Sequence, residues 1–303
     1  MEDYPHTLAQ LEDLLASEEA CVEYIYQLRW PKGFRCVRCG GSGAWRMSRG
    51  LLRCRRCDAQ TSVTAGTIFQ GTHKPLRLWL RAMWHVVQSP VGTSAREIQH
   101  LLKLGSYRTA WAWLHKLRRV MVRPVQDRLR GTVQVDEVYI GSRQALRKRM
   151  APGAILLMVA VAKRRSRVGL IRIVRLRDGS QQSLLAAVGE MIDPSAIVRT
   201  DRCPAYTPGI ELMGYRHQPF RLYPGAVGVD PLPLVAEVAD RLRQWLRKSL
   251  HGAVCPSYLD YYLAEFTFRF NNHASRFPGR ALRHLLRQAL ETPPGPSDQT
   301  NVP

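Results

Sequence analysis

GTVQVDEVYIG, residues 131–141, sets Val133, Val135, Val138, Tyr139 and Ile140 in one short run opened by a glycine. Branched and aromatic side chains in such a run read as a buried β-strand. Two acids, Asp136 and Glu137, sit in its middle. Side chains alternate across a strand, so Asp136 shares a face with Gln134, Val138 and Ile140, while Glu137 points the other way with Val135 and Tyr139. Carboxylates are costly to bury without a partner, and the chain has only 24 Asp+Glu against 45 Lys+Arg. Asp136 is either a half-exposed acid of an edge strand or a carboxylate with work to do.

Outward from this stretch the pattern is α/β. Strand-like runs follow at 155–163 (ILLMVAVAK) and 168–176 (VGLIRIVRL), then a helix at about 180–192 and a short strand AIVRTD at 196–201. Helices are expected at 232–250 and 256–272. Asp201 closes the short strand, where a carboxylate beside a loop reaches a site built on the sheet; the alternative is a cap or turn residue. Two acids on neighbouring strands, with a third on a helix, can hold two Mg²⁺ ions, the arrangement that stabilises attacking and leaving oxygens in phosphodiester chemistry.

The N-terminal side is different. Residues 7–28 have helical spacing with a break near Ser17, and 73–88 form a Trp-rich amphipathic helix. Between them lie two C-x-x-C knuckles, Cys36/Cys39 and Cys54/Cys57, with 14 residues between Cys39 and Cys54. Two such turns close a tetrahedral Zn²⁺ site with no open position, hence a structural one; unligated thiols or a redox dithiol are the alternative. Arg35, Arg38, Arg53, Arg55 and Arg56 offset the thiolate charge and suggest a nucleic-acid surface. Cys21, Cys203 and Cys255 read as ordinary thiols. Residues 93–104 and 107–123, joined at a Gly-Ser turn, have the shape of a helix-turn-helix. In that reading Ser106, Tyr107, Arg108 and Thr109 meet base edges, and His115, Lys116, Arg118 and Arg119 meet phosphates. The alternative is a plain hairpin packed by Trp111, Trp113, Leu114 and Leu117.

The formal net charge of the 303-residue chain is +21. A globular chain this basic calls for a polyanionic partner, nucleic acid before an anionic membrane surface. No apolar run reaches 18 residues, so no membrane span is expected. The acidic start MEDYPHTLAQLEDLL lacks the order of a signal peptide, which points to the cytoplasm and to reduced cysteines.

Taken in order, RWPKGFRCVRCG, CRRCDAQTSVTAGTIFQGTHKPLRLWLRAMW, VDEVYIG, RTDRCPAY, GYRH and YLAEFTFRFN resemble bacterial insertion-sequence transposases with an N-terminal zinc ribbon and a DDE-type catalytic domain. The likeness runs from about residue 5 to 285. It implies an RNase H-like mixed sheet of five strands flanked by helices, preceded by a small zinc ribbon and a helix-turn-helix-like region. The implied domains are N-terminal helices at 1–30, the ribbon at 31–72, a helical DNA-binding region at 73–127, the catalytic domain at 128–286 and a disordered tail at 287–303. The resemblance implies transposition with Mg²⁺ or Mn²⁺ on double-stranded DNA, usually as a homo-oligomer. Asp136 and Asp201 match the first two catalytic acids. The third position departs: matching Leu242, Trp245 and Leu246 of VAEVADRLRQWL places Ala236 there, and alanine binds no metal. Glu237, with 35 residues between it and Asp201, is the expected substitute, with Asp240 or no ligand as alternatives. An inactive DNA-binding derivative is therefore the rival function. Around the site, Arg147, Lys148 and Arg149 are expected to clamp phosphates, or else to be a solvated loop.

Overall fold

The computed structural model describes residues 4–47, 50–89, 92–122, 128–141, 154–201, 203–220, 231–250, 256–273 and 278–295. Arg147, Lys148, Arg149 and Cys255 lie outside them. The chain divides into two units, Met1–Met121 with Ser275–Pro303, and Val122–Ala274.

The first unit begins with α1 (Leu8–Leu14) and α2 (Glu18–Arg29). The expected break is a cap: the Ser17 hydroxyl accepts the Ala20 N–H at 3.0 Å. Three short strands follow, β1 (Ala44–Arg46), β2 (Leu51–Cys54) and β3 (Gln60–Ser62), in one antiparallel sheet. Then come α3 (Leu76–Gln88), α4 (Ala95–Leu102) and α5 (Tyr107–Val120). Ser94 and Glu97 form a capping box that starts α4. The Trp79 and Trp113 rings stack at 3.8 Å, with Phe69 edge-on to Trp79, so the tryptophans form the core of this unit.

Residues Pro278–Glu291 form a helix, α10 in chain order, that packs against α3 and belongs to this first unit. This corrects the expected boundaries, which ended the catalytic domain at 286 and began a disordered tail at 287. The physical reason is an apolar stripe: Leu282, Leu285, Leu286 and Ala289 are fully buried. Gly279 is required, because a Cβ there would stand 1.8 Å from the Pro5 carbonyl oxygen.

The second unit is a five-stranded sheet: β4 (Thr132–Ile140), β5 (Ile155–Arg164), β6 (Arg167–Arg175), β7 (Ile197–Arg199) and β8 (Arg216–His217). Its order is β6-β5-β4-β7-β8. The first three strands pair antiparallel; β7 and β8 join in parallel. Three antiparallel strands extended by two parallel ones, with helices on both faces, make the expected RNase H-like mixed sheet. On one face α6 (Gln181–Met191) and α7 (Gly209–Leu212) cover Val133, Val135, Met158 and Val198. On the other, α8 (Pro233–Leu250) and α9 (Leu259–His273) cover Val138, Ile140, Leu157 and Val159. β4 is buried on both sides, which explains its near-continuous apolar content.

β6 is an edge strand, and α9 caps part of that edge. The Asn271 amide accepts the Ile171 N–H at 2.8 Å and donates to the Ile171 carbonyl at 2.9 Å. One side chain thus replaces the missing neighbour strand for one residue. In the same helix Arg269 pairs with the fully buried Glu265 at 3.2 Å.

Candidate active site and metal centre

The two knuckles bring the sulfurs of Cys36, Cys39, Cys54 and Cys57 within 4.8 Å of one another. Cys36–Cys57 and Cys39–Cys54 are each 3.7 Å apart. A disulfide needs about 2.05 Å, so these are four free thiols. A tetrahedron of sulfurs about 2.3 Å from a zinc ion has an edge of about 3.8 Å, which the cluster matches. Each knuckle aims an amide at its first sulfur: Arg38 N–H to Cys36 at 3.4 Å and Arg56 N–H to Cys54 at 3.3 Å. The residue after each second cysteine, Gly40 or Asp58, is left-handed, with φ of 68° and 56°. The two turns are therefore copies of one device, and they fit structural zinc.

The carboxylates are positioned by β4 and β7. The parallel register pairs Thr132 with Ile197 and Gln134 with Arg199. Two residues further along the two segments come Asp136, still within β4, and Asp201, just past the end of β7. Both acids therefore lie toward the same end of the parallel pair, in which neighbouring strands run about 4.8 Å apart. The Asp201 carboxylate accepts the Cys203 N–H at 3.0 Å, a side-chain-stabilised turn that holds it at the strand end.

Asp136 and Glu137 face opposite ways, as the alternation requires. Glu137 is on the face of Val133 and Val135, where the buried Tyr206 hydroxyl donates to its carboxylate. Burial pushes the Glu137 carboxyl up, and the charge of Asp201 adds to it; the Tyr206 hydrogen bond works against both. Burial also pushes Tyr206 up, reinforced by Glu137, Asp136 and Asp201. Asp136 and Asp201 therefore act on the phenol through their charge, while only Glu137 is hydrogen-bonded to it.

The third acid does not join them. Among the described residues, the four cysteines are the sole group of three or more candidate ligand side chains that close together. Glu237 is exposed and pairs with Arg241 at 2.6 Å; Asp240 is exposed and pairs with Arg243 at 2.8 Å. Val235, Val238, Ala239 and Leu242 turn the opposite side of α8 to the sheet. Glu237 is turned about 140° from that buried line on an ideal helix. Ala236 is half-buried. One contact of α8 with β4 carried no sequence signal: the Gln134 side chain accepts the Leu234 N–H at 3.1 Å. Gln134 shares a strand face with Asp136, so it pins the start of the third-acid helix to the strand of the first acid.

A second cluster braces Asp201. The Thr200 hydroxyl donates to the Asp201 carbonyl at 2.6 Å and accepts from His217 Nε2 at 2.8 Å; His217 Nδ1 faces Thr207 at 3.5 Å. These partners assign the neutral ring with its proton on Nε2. Burial holds His217 below the usual imidazole range.

The candidate DNA residues separate. α4, a tight turn through Lys103 and α5 have the helix-turn-helix shape. Ser106, Tyr107 and Arg108 are exposed at the start of α5, and Lys116 is half-buried. His115 and Arg118 are buried, and Arg118 donates to the Thr93 carbonyl at 3.2 Å. Arg119 donates to the Pro293 carbonyl at 2.9 Å. Their expected role on phosphates is corrected for His115 and Arg118, because α5 turns both toward the core with Trp111 and Leu114.

Residues 128–271 match the ISXO2-like transposase domain, and residues 16–60 match the transposase zinc-ribbon domain. An uncharacterised protein of the transposable element ISH50 from Halobacterium salinarum is 25% identical over 300 residues, covering 90% of this chain and 97% of its own length. Among solved structures, the magnesium complex of the HTLV-2 integrase catalytic core domain is similar over 47% of this chain and 86% of its own, with 13% identity and a TM-score of 0.30. No described helix is long and apolar enough to cross a membrane.

Proposed function

Since the chain belongs to the insertion-sequence transposases that join a zinc ribbon to an ISXO2-like DDE domain, we propose that it binds the terminal inverted repeats of its element and catalyses metal-dependent DNA cleavage and strand transfer. The observation that supports this reading is the parallel β4–β7 register, which pairs Gln134 with Arg199, two residues before Asp136 and Asp201.

In this reading the two carboxylates hold the catalytic ions. Bound Mg²⁺ or Mn²⁺ supplies charge stabilisation for the attacking and leaving oxygens of an in-line displacement. The Cys203 N–H and the Thr200–His217 pair fix the Asp201 segment. Glu137, turned away and hydrogen-bonded to Tyr206, adds negative potential without reaching the same face. Glu237 is the third acid of the proposal. Its exposed ion pair with Arg241 is worth only about 0.3–0.5 kcal/mol, too little to keep it from a divalent ion. The zinc ribbon and the start of α5, with Arg108, are the DNA-recognition surfaces. Lys116, Arg119, Arg147, Lys148 and Arg149 complete the phosphate contacts. The working state is a homo-oligomer on paired ends in the cytoplasm.

Ala236 and the outward Glu237 favour a second reading, a DNA-binding protein that no longer cuts. One assay separates the two. A duplex carrying the element's own terminal repeat is incubated with Mg²⁺ or Mn²⁺ and wild type, Asp136→Ala or Glu237→Gln. Nicking at the end that is lost in both variants supports the three-acid enzyme. Loss in Asp136→Ala alone removes Glu237 from the site. End-binding without nicking under any condition refutes the enzyme and leaves the inactive binder.

A further inference from the structure

The three-stranded sheet of the zinc ribbon has two unlike faces. One carries Leu52, Cys54 and Thr61, all buried. The other carries a row across the strands. Trp45 on β1 pairs with Arg53 on β2, and Arg53 pairs with Gln60 on β3. All three side chains are exposed. Trp45 is 57% exposed, an unusual placement for an indole in a protein that buries Trp79, Trp111 and Trp113.

The indole is held in place. The Arg55 guanidinium lies over its ring, 4.3 Å from the centroid. The Arg55 amide donates to the Gly43 carbonyl at 3.2 Å. A Cβ at Gly43 would come within 3.1 Å of the Arg55 side chain. Gly43 also has a φ of +82°. The glycine thus leaves room for the arginine stem, and the arginine covers one side of the ring. Arg35, Arg38 and Arg56 stand exposed on the same small domain.

We propose that this face is a stacking platform for an unpaired DNA strand, with Trp45 under a base and Arg53, Arg55 and Gln60 beside it. The proposal rests on the transposase reading and names the form of DNA that the ribbon takes. Width argues against a paired duplex. Three strands with their own breadth span about 15 Å, whereas the major groove is about 12 Å wide and admits a two-stranded ribbon. A broad sheet face with an aromatic side chain flanked by Arg55, and by Arg53 in an exposed ion pair with Asp58 at 2.9 Å, suits a single strand, whose bases offer their faces to stacking. Cleavage and strand exchange at a transposon end expose such strands.

The test uses the full-length zinc-loaded protein and fluorescein-labelled oligothymidine, against a fully paired duplex of the same length in the same buffer. Binding is read by anisotropy for wild type, Trp45→Ala and Trp45→Phe, with zinc content measured for each. The expected result is a loss of about 5- to 150-fold in single-strand affinity for Trp45→Ala. Trp45→Phe retains most of the affinity, duplex affinity changes by less than about twofold, and zinc is unchanged. Single-strand affinity unaffected by Trp45→Ala overturns the platform. An equal loss on both substrates also overturns it, in favour of a duplex contact. A Trp45→Ala protein that loses zinc is replaced by cross-linking of wild type to a 5-iodouracil strand, where label outside the Trp45 peptide overturns the proposal. Wild type that binds neither substrate rejects the transposase reading itself, which separates that failure from this one.

Discussion

Asn271→Ala tests how α9 closes the sheet edge. Ile171 is fully buried, and both its backbone groups are taken by the Asn271 amide at 2.8 and 2.9 Å. Stranding one buried polar group costs about 1–3 kcal/mol, so removing the amide costs about 2–6 kcal/mol, toward the lower end if water reaches the strand edge. Asn271→Asp keeps an acceptor for the Ile171 N–H but turns a carboxylate oxygen toward its carbonyl, so it does not rescue the edge. The assay is amide hydrogen exchange by mass spectrometry over 167–175, supported by urea unfolding of the full chain. Asn271→Ala raises exchange across β6 strongly. An Asn271→Ala protein within about 0.5 kcal/mol of wild type, the range of an ordinary surface substitution, refutes the two-bond account.

Cys54→Ser removes one of four zinc ligands and unfolds the ribbon, with zinc release measured by a colorimetric chelator and the described core around Trp79 retaining its near-ultraviolet signal. Arg108→Ala lowers duplex affinity and reduces the slope of log affinity against log salt by about 0.9, read by anisotropy across a salt series. Arg118→Met leaves that slope unchanged and lowers thermal stability instead, because its guanidinium serves the Thr93 carbonyl. His217 is held neutral in the fold and titrates at higher pH when unfolded. The unfolded chain therefore binds more protons below about pH 6.5, and the second unit loses stability as pH falls through that range. His217→Gln flattens this dependence in unfolding curves recorded from neutral to mildly acidic pH.

The alternating run at 132–140 is legible because strand period is local, and the facing of Asp136 and Glu137 follows from it directly. The knuckles are legible because zinc chemistry dictates ligand type and spacing. The neighbourhood of Asp136 and Asp201 is not: it depends on a parallel register between segments about 65 residues apart, joined through other strands and a helix. Gln134 on Leu234 and Asn271 on Ile171, each 100 residues apart, are invisible for the same reason. The burial of His115 and Arg118 was within reach. Positions 111, 114, 115 and 118 lie on one helical stripe, so their basic members had to share the side of Trp111 and Leu114. The helix at 278–291 also announced itself, with Pro278 at its first position and leucines at helical spacing.

Order along the chain and membership in a unit do not coincide here. The sheet-bearing unit is inserted between α5 and α10, so both of its ends, near residues 122 and 274, connect to the same helical body. A deletion after about residue 275 strips a buried helix from the half that carries the ribbon and α5, and spares the acids. A C-terminally shortened product of this protein is therefore expected to fail first in holding DNA, while its isolated middle segment, 128–273, keeps both faces of its sheet covered.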